Sequence, residues 1–530
     1  MAEEEKKFNF FQIDSMDNAA PKPGRRWSWE TPPEPIPESE IAETLETDVV
    51  IIGGGMAGLA TAARCTELGL RATLIEKTKG LVSHGAHIAT VGSKIQRDAG
   101  VFMDKQQFAR DWLHICGSRV NEDLLWLYIN RSEEAFDWLL ELGGDDIIPT
   151  LFGGNYRGPD FTEYAGTHFI MKKPESTKYK YGGGLLICEI FEKEAADRGA
   201  VLLRNTNAER LEKIDGRVVS AIAKCEDGKL RRYKAKRGVV LATGDIGGDA
   251  EMLEAFCPLG LRPKRNGSFP KGSNMGEGHK LGYWAGGAFE QAPWALSLHL
   301  IAYAMYTFFF LHVNRQGKRF MNEDTWVQAK AIRCLMQKDG DWAFSVFDSK
   351  WYEELSELAI HSGGQFVDSL GAMYGQPWDN PYNNSREAIE NYVKNGLCFR
   401  ADTIEELAAQ MDVPVENLVK TVARYNELHK KGNDDDYGKR SILLTSIDKP
   451  PYYGLKWGPA LLTVFGGLLT DTKMRVLDEE QEPVPGLLAV GNVAGGLYGV
   501  DYPLLLNGNS HGRAITWARS AAETLVADEA

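Results

Sequence analysis

Three glycines near the start of the chain, Gly53, Gly55 and Gly58, have the spacing Gly-x-Gly-x-x-Gly. They follow a continuous apolar run at 49–52 and open a segment with helical spacing, and Glu76 ends the next apolar run. In such a strand–turn–helix unit the glycines allow a tight turn and the close approach of a pyrophosphate, whose charge the helix N-terminus stabilises, while the acidic side chain binds a ribose. The motif therefore predicts a dinucleotide site and leaves FAD and NAD both open.

The elements that must position this motif belong to a parallel sheet. Further apolar strands are predicted at 236–244 and 486–492, and strands so far apart in sequence imply that the segment between them is an inserted domain. The predicted fold class is α/β, a Rossmann-type domain interrupted by an α+β cap domain. The predicted boundaries are 1–45 for an extended, proline-rich arm, 46–254 and 456–530 for the Rossmann-type domain, and 255–455 for the cap.

Composition narrows the possible functions. The net charge of −14 argues against nucleic acid or an anionic membrane surface as partner. The seven cysteines include no C-x-x-C pair, so no iron–sulfur cluster, zinc site or attached haem is predicted, and a reducing cytoplasm is favoured. Arg25-Arg26 precedes no apolar core, so we predict no export signal, and the longest apolar run, at 298–313, is shorter than the roughly 20 residues of a transmembrane helix.

Several stretches in order resemble the flavoprotein family of fumarate reductases, succinate dehydrogenase flavoprotein subunits and 3-ketosteroid dehydrogenases. The resemblance covers about 46–525 and rests on DVVIIGGGMAGLATA, VVLATGDIGG, VNRQGKRFMNE, GGLLTDTKMRVLD and VPGLLAVGNVAGG. It implies FAD as the cofactor, a Rossmann-type FAD-binding domain with a cap over the isoalloxazine, and a substrate held between the two. It also implies that a helix beginning near Asn507 faces the flavin pyrimidine ring, where its N-terminal amides stabilise negative charge.

The motif and the resemblance together give the residues predicted to bind FAD: Gly53, Gly55, Met56, Ala57, Gly58, Glu76, Lys77, Ser83, His84, Ala208, Ala242, Thr243, Gly244, Asn492, Asn509 and Ser510. Membrane-bound relatives attach FAD covalently through a histidine in a Ser-His stretch. The residues after Ser83-His84 do not keep that spacing, so non-covalent FAD is favoured and attachment through His84 stays an alternative. His168, in a predicted loop, is a further candidate to line the pocket.

The side chains with which fumarate reductases hold and protonate a dicarboxylate have no counterpart in this sequence. The corresponding positions fall on Ala302, Tyr303, Tyr306, Val327, Thr463 and Tyr502. Without cationic side chains there is no clamp for two carboxylates. The resemblance therefore predicts no useful fumarate reduction.

Tyr502 instead resembles the tyrosine of a Gly-x-x-Tyr-Pro stretch in 3-ketosteroid dehydrogenases, which hydrogen-bonds the substrate ketone. Hydride transfer between flavin N5 and the β-carbon of an enone builds negative charge on the carbonyl oxygen, and a phenol together with a backbone N–H stabilises that charge. The amide of Leu506 or Asn507 is the predicted second donor. Tyr303 and Tyr306 are the candidates for exchanging a proton with the α-carbon, although an aromatic stripe in a cap can equally be core.

These residues predict an FAD-dependent reductase of a C=C bond conjugated to a carbonyl, in a largely apolar enone, steroid-like or aromatic substrate. The alternatives are the reverse desaturation by a ketosteroid-type dehydrogenase and a flavin-binding electron-transfer subunit. Electrons would come from or go to NAD(P)H, free flavin or a redox protein, and the sequence leaves these three open.

Overall fold

The computed structural model describes residues 27–153, 158, 164–268, 270–300, 302–304, 308–362, 374–380 and 383–527. The strands are β1 (Ile41–Ile52), β2 (Ala72–Ile75), β3 (His87–Ala89), β4 (Ile147–Leu151), β5 (Thr167–Lys172), β6 (Val201–Leu203), β7 (Asn207–Ile214), β8 (Arg217–Lys224), β9 (Leu230–Leu241), β10 (Ala295–His299), β11 (Leu311–Val313), β12 (Ala343–Phe347), β13 (Cys398–Ala401), β14 (Tyr452–Trp457), β15 (Ala460–Phe465), β16 (Arg475–Leu477) and β17 (Pro483–Ala489).

The helices are α1 (Met56–Glu67), α2 (Lys94–Asp98), α3 (Lys105–Ile115), α4 (Glu122–Gly143), α5 (Gly183–Asp197), α6 (Ala250–Phe256), α7 (Glu277–Trp284), α8 (Val327–Leu335), α9 (Trp351–Ser362), α10 (Ser385–Lys394), α11 (Ile404–Gln410), α12 (Val415–Lys431) and α13 (Asn509–Val526). Among the described residues, no helix is both long and apolar enough to cross a membrane.

The main sheet has eight strands, with the path β16-β17-β9-β1-β2-β6 and the β7–β8 hairpin joined to β9. Strands β17, β9, β1, β2 and β6 pair in parallel, which confirms the predicted α/β class with its parallel sheet. Residues 49–52 are buried because helices cover this sheet, and α1 packs against both α5 and α13. That burial explains the continuous apolar run, since parallel strands bury both faces.

A second sheet lies within the predicted insertion. Strands β11, β12, β14 and β13 form an antiparallel sheet in that order, and β10 pairs antiparallel with β15. Two apolar clusters, drawn almost wholly from 304–455, are separate from the main core. This packing fits the inserted cap, whose boundaries stay a prediction.

Candidate active site

A cavity of about 450 Å³ lies where both ends of the chain meet the cap. Its walls come from the turn after β1, the segment between β2 and β3, the end of β9, the paired strands β10 and β15, the start of α8 and the start of α13. Parallel strands place their carboxyl ends at one edge of a sheet, which is where nucleotide sites form in this architecture. The cavity therefore occupies the position that the glycine motif predicts.

The glycine turn is shaped for a closely approaching ligand. Gly53 has a φ of +109°, and a Cβ on Gly58 would overlap the carbonyl oxygen of Gly53. Around Gly55, by contrast, a Cβ would meet nothing within 4 Å, so its face opens to the cavity. Glu76 fixes the turn, because its carboxylate accepts from the amides of Gly54 at 2.5 Å and Thr78 at 2.6 Å.

Several buried polar atoms in the cavity wall have no hydrogen-bond partner among the described residues. The hydroxyls of Thr243, Ser273 and Ser297 are buried and have no hydrogen-bond partner in the described part of the chain. Buried hydroxyls are normally satisfied, so these positions favour a polar molecule in contact with them. Together with the glycine turn, they fit the phosphates and ribityl hydroxyls of FAD.

Most of the predicted FAD-binding residues line this one cavity. They are Gly53, Gly55, Met56, Ala57, Glu76, Lys77, Ser83, His84, Ala242, Thr243, Gly244, Asn492 and Ser510. Three others lie outside it. Gly58 packs on Gly53, Ala208 lies in β7, and the Asn509 side chain donates to the carbonyl oxygens of Pro503 and Leu506.

Tyr502 lies in the cavity wall, 4% exposed, and its ring stacks on Phe465 with centroids 4.2 Å apart. Its hydroxyl accepts from the Ser510 amide at 3.3 Å, in the first turn of α13, and lies 3.4 Å from the Ser510 hydroxyl. Burial raises the pKa of the Tyr502 phenol, so it keeps its proton. The described α13 begins at Asn509, two residues after the predicted start.

Asp501 connects the Tyr502 loop to the cap. Its carboxylate accepts from the Tyr502 amide at 2.8 Å and from the side chain of Gln328 in α8. Burial raises the pKa of the Asp501 carboxyl to about 6. The aspartate therefore holds the loop in place while its own charge is poorly solvated.

The two other predicted tyrosines do not join Tyr502. Tyr303 is not among the residues that line the cavity, because its ring lies under Lys456, 4.3 Å from the ring centroid, and edge-on to Trp342. Tyr306 lies outside the described residues. Val327 and Thr463 do line the cavity. In fumarate reductases, the side chains at these two positions are predicted from the resemblance to bind or protonate the dicarboxylate, and here they are Val327 and Thr463.

Histidines and aromatic rings that sequence reasoning missed form much of the cavity wall. His87 is packed edge-on by Phe152 and Phe169, and its Nε2 is buried with no partner among the described residues. Burial lowers the pKa of His87 to about 3 and that of His299 to about 4, so both rings are neutral near pH 7. In the sequence, His87 is visible only as a second histidine shortly after Ser83-His84, and nothing near it indicates that it lines a cavity. His168, buried in β5 beside Ser93, is not in this wall and is not a loop residue.

Fold and cavity together define a flavin-type oxidoreductase with a Rossmann-type nucleotide site. The family model described as FAD binding domain matches residues 48–510, and the chain belongs to that family. The predicted cofactor, FAD, is thereby confirmed, as is the prediction of an FAD-dependent oxidoreductase acting on CH–CH groups.

Two relatives agree with that class, and a solved structure agrees with the fold. Fumarate reductase (cytochrome) from Shewanella frigidimarina is 26% identical over 489 residues, covering 90% of this chain and 76% of the relative. Vinyl phenol reductase from Lactiplantibacillus plantarum is 24% identical over 497 residues, covering 89% and 95%. The solved 3-ketosteroid-delta4-(5alpha)-dehydrogenase from Rhodococcus jostii RHA1, in complex with 4-androstene-3,17-dione, has a TM-score of 0.68 at 24% identity, covering 91% and 97%. The predicted family resemblance and fold are confirmed.

Proposed function

We propose that the protein reduces a carbon–carbon double bond conjugated to a carbonyl in a largely apolar substrate, with Tyr502 binding the carbonyl oxygen. When bound, FAD supplies the two-electron chemistry of hydride transfer at N5. The residues proposed to hold FAD are the cavity-lining set around Gly53, Gly55 and Glu76, together with Thr243 and Asn492.

The observation that carries the proposal is a protonated phenol in an apolar part of the cofactor cavity. Tyr502 stacks on Phe465, and Phe152, Trp326, Val327 and Leu504 are further apolar residues that line the same cavity. A neutral phenol can donate to a carbonyl oxygen as negative charge develops there, and such a donor acts most strongly where water is excluded.

The charges around the cavity favour an uncharged substrate. Among the described residues that line it, Lys77 is the one lysine or arginine, and it is paired with Glu277 and the carbonyl oxygen of Gly272. His87 and His299 are neutral near pH 7 for the reason given above. The described lining residues therefore offer a dicarboxylate such as fumarate no arginine and no unpaired lysine, which supports the predicted lack of useful fumarate reduction.

The same residues would serve the reverse reaction, because a donor that stabilises an enolate-like oxygen lowers the barrier in both directions. Desaturation of a ketosteroid-like substrate is therefore the second candidate, and the electron partner decides the direction. A cavity with walls from both the main sheet and the strands β10 and β15 offers space for a small molecule, which argues against a pure electron-transfer subunit. The proposed cytoplasmic location rests on the seven cysteines, which are free thiols.

The test is anaerobic oxidation of the reduced enzyme by a panel of conjugated enones, cinnamates, ketosteroids and fumarate, followed by flavin absorbance. We expect rapid reoxidation by at least one uncharged conjugated carbonyl compound and slow reoxidation by fumarate. Reoxidation by fumarate at the rate of the best enone would contradict the proposed substrate class, and an enzyme that reacts with none of the panel would contradict the proposed function.

A further inference from the structure

A buried carboxylic acid lies directly behind the cavity wall. Asp245 follows β9 and is 1% exposed. One of its oxygens lies 2.5 Å from the hydroxyl of Thr463, a residue that lines the cavity, and 3.1 Å from the Asn274 side-chain nitrogen. The other oxygen accepts from the Gly247 amide at 2.6 Å. The sequence interpretation gave this residue no role.

Burial disfavours the charged form of the Asp245 carboxyl, whereas the hydrogen-bond donors around it favour that form. Burial raises the pKa of Asp245, against hydrogen bonds from Thr463 and the backbone and the charge of His84. Cys257 also faces it, as a neutral thiol, because burial raises the pKa of Cys257 to about 12. In the described part of the chain no lysine or arginine forms an ion pair with Asp245.

The orientation of the Thr463 hydroxyl follows from its other partner. Arg513 donates to Asn492 Oδ1 at 2.6 Å, and a guanidinium can only donate, so the amide nitrogen of Asn492 must face away from it. That nitrogen donates to Thr463 Oγ at 2.9 Å. One lone pair of the Thr463 oxygen is therefore always occupied by Asn492.

The position of a proton on Asp245 is equally determined. The Asn274 nitrogen and the Gly247 amide are donors, so Thr463 Oγ is the neighbour that can accept from a protonated Asp245. When Asp245 is protonated, both lone pairs of Thr463 are filled and the Thr463 hydrogen is available to a molecule in the cavity that Thr463 lines. When Asp245 is ionised, the Thr463 hydrogen turns back to it.

We infer that Asp245 and Thr463 form a proton-delivery pair for the α-carbon of the substrate. This inference rests on the proposed function, which assigns the hydride to the β-carbon. As the α-carbon gains its C–H bond, the O–H bond of Thr463 breaks, and the proton of Asp245 moves to the Thr463 oxygen. Asp245 is left as a carboxylate; after the product leaves, the Thr463 hydroxyl passes its hydrogen to Asp245 and takes a proton from water in the cavity. Desaturation runs the same transfers backwards.

In these roles Thr463 is the group that touches the substrate, and Asp245 acts through it. The pair supplies what the neighbouring positions lack, since Val327 has no acidic hydrogen and Tyr303 lies outside the cavity. General acid–base groups contribute about 10²–10⁴-fold to rates, which sets the expected size of the effect.

The first measurement needs no substrate. Infrared difference spectra of the FAD-loaded wild type and Asp245→Asn should show the carbonyl stretch of an undissociated carboxylic acid in the wild type, absent from the variant. The band should shift in Thr463→Val, which loses the hydrogen-bond acceptor. A wild type with no such band near neutral pH would show an ionised Asp245 and overturn the inference.

The second measurement compares two oxidants of the reduced enzyme, the best enone of the panel and ferricyanide, which requires no protonation of carbon. In Asp245→Asn and Thr463→Val the ratio of the enone rate to the ferricyanide rate should fall by about 10²-fold or more, and Thr463→Ser should recover most of it. If the rates with the enone and with ferricyanide fell equally, Asp245 and Thr463 would have a structural role. The same would follow if Thr463→Ser reacted with the enone as slowly as Thr463→Val. A wild type that reduces no alkene refutes the proposed function, whereas the infrared band still decides the state of Asp245.

Discussion

Replacing Tyr502 by phenylalanine separates the chemical role of its hydroxyl from packing. The ring stays, so the stacking on Phe465 at 4.2 Å is kept. The hydroxyl makes two long contacts with Ser510, at 3.3 and 3.4 Å, so its loss should reduce the free energy of unfolding by about 1 kcal/mol or less. Loss of an oxyanion donor costs about 10²–10³-fold in rate, or about 2.7–4 kcal/mol of barrier. The rate should therefore change much more than the stability.

The assay is stopped-flow oxidation of the reduced enzyme by the best enone, alongside thermal unfolding and the flavin content. Tyr498→Phe is the matched control, because Tyr498 is buried 5.3 Å from the Tyr502 ring and its hydroxyl has no partner among the described residues. We expect Tyr498→Phe to retain the wild-type rate. If every substrate oxidises the reduced Tyr502→Phe and Tyr498→Phe variants at the same rate, Tyr502 is a packing residue and the carbonyl site is elsewhere.

Three further predictions concern the cofactor and the loop. Gly58→Ala should prevent folding of the turn, because its Cβ would overlap the carbonyl oxygen of Gly53, whereas Gly55→Ala should fold and lose FAD. Circular dichroism reports the folding of each variant, and the flavin-to-protein ratio reports its FAD content. A Gly58→Ala variant with a full complement of flavin would contradict the reasoning. Because the pKa of Asp501 is raised from 3.8 to about 6, its contribution to stability is complete below pH 3.8 and is lost as the pH rises through about 6. Asp501→Asn should flatten that decline in urea-unfolding experiments, and an unchanged slope would exclude this carboxyl as its source. Acid precipitation should release FAD to the supernatant, and flavin in the pellet would show attachment through His84.

The local parts of the architecture were predictable from the sequence. The pattern at 49–58 is enough to predict the buried strand, the glycine turn and the start of α1. These elements depend on neighbouring residues in the chain and on the burial of both sheet faces. The chain positions of the main strands were enough to indicate an insertion.

Long-range contacts explain what the sequence did not reveal. Tyr303 lies apart from Tyr502 because Lys456 and Trp342, far along the chain, hold its ring. Asp245 is preceded by Gly244 and lies two residues before Gly247-Gly248, a context typical of a turn, and nothing local shows that Thr463 covers its carboxyl. Residue type indicates what a side chain can do, but only tertiary packing sets its neighbours.

The cavity is lined by residues from near both ends of the region that the family model matches. The cofactor site is therefore completed late in synthesis. Gly53 and Ala514 line the same cavity, and β1 lies beside β9, which pairs with β17. At about 5–20 residues per second, a ribosome needs on the order of 25–90 s to pass from the glycine turn to the start of α13. From the time β9 is made until β17 follows it, the edge of β9 that pairs with β17 has no partner strand. The complete FAD site therefore forms only after the start of α13 has been translated.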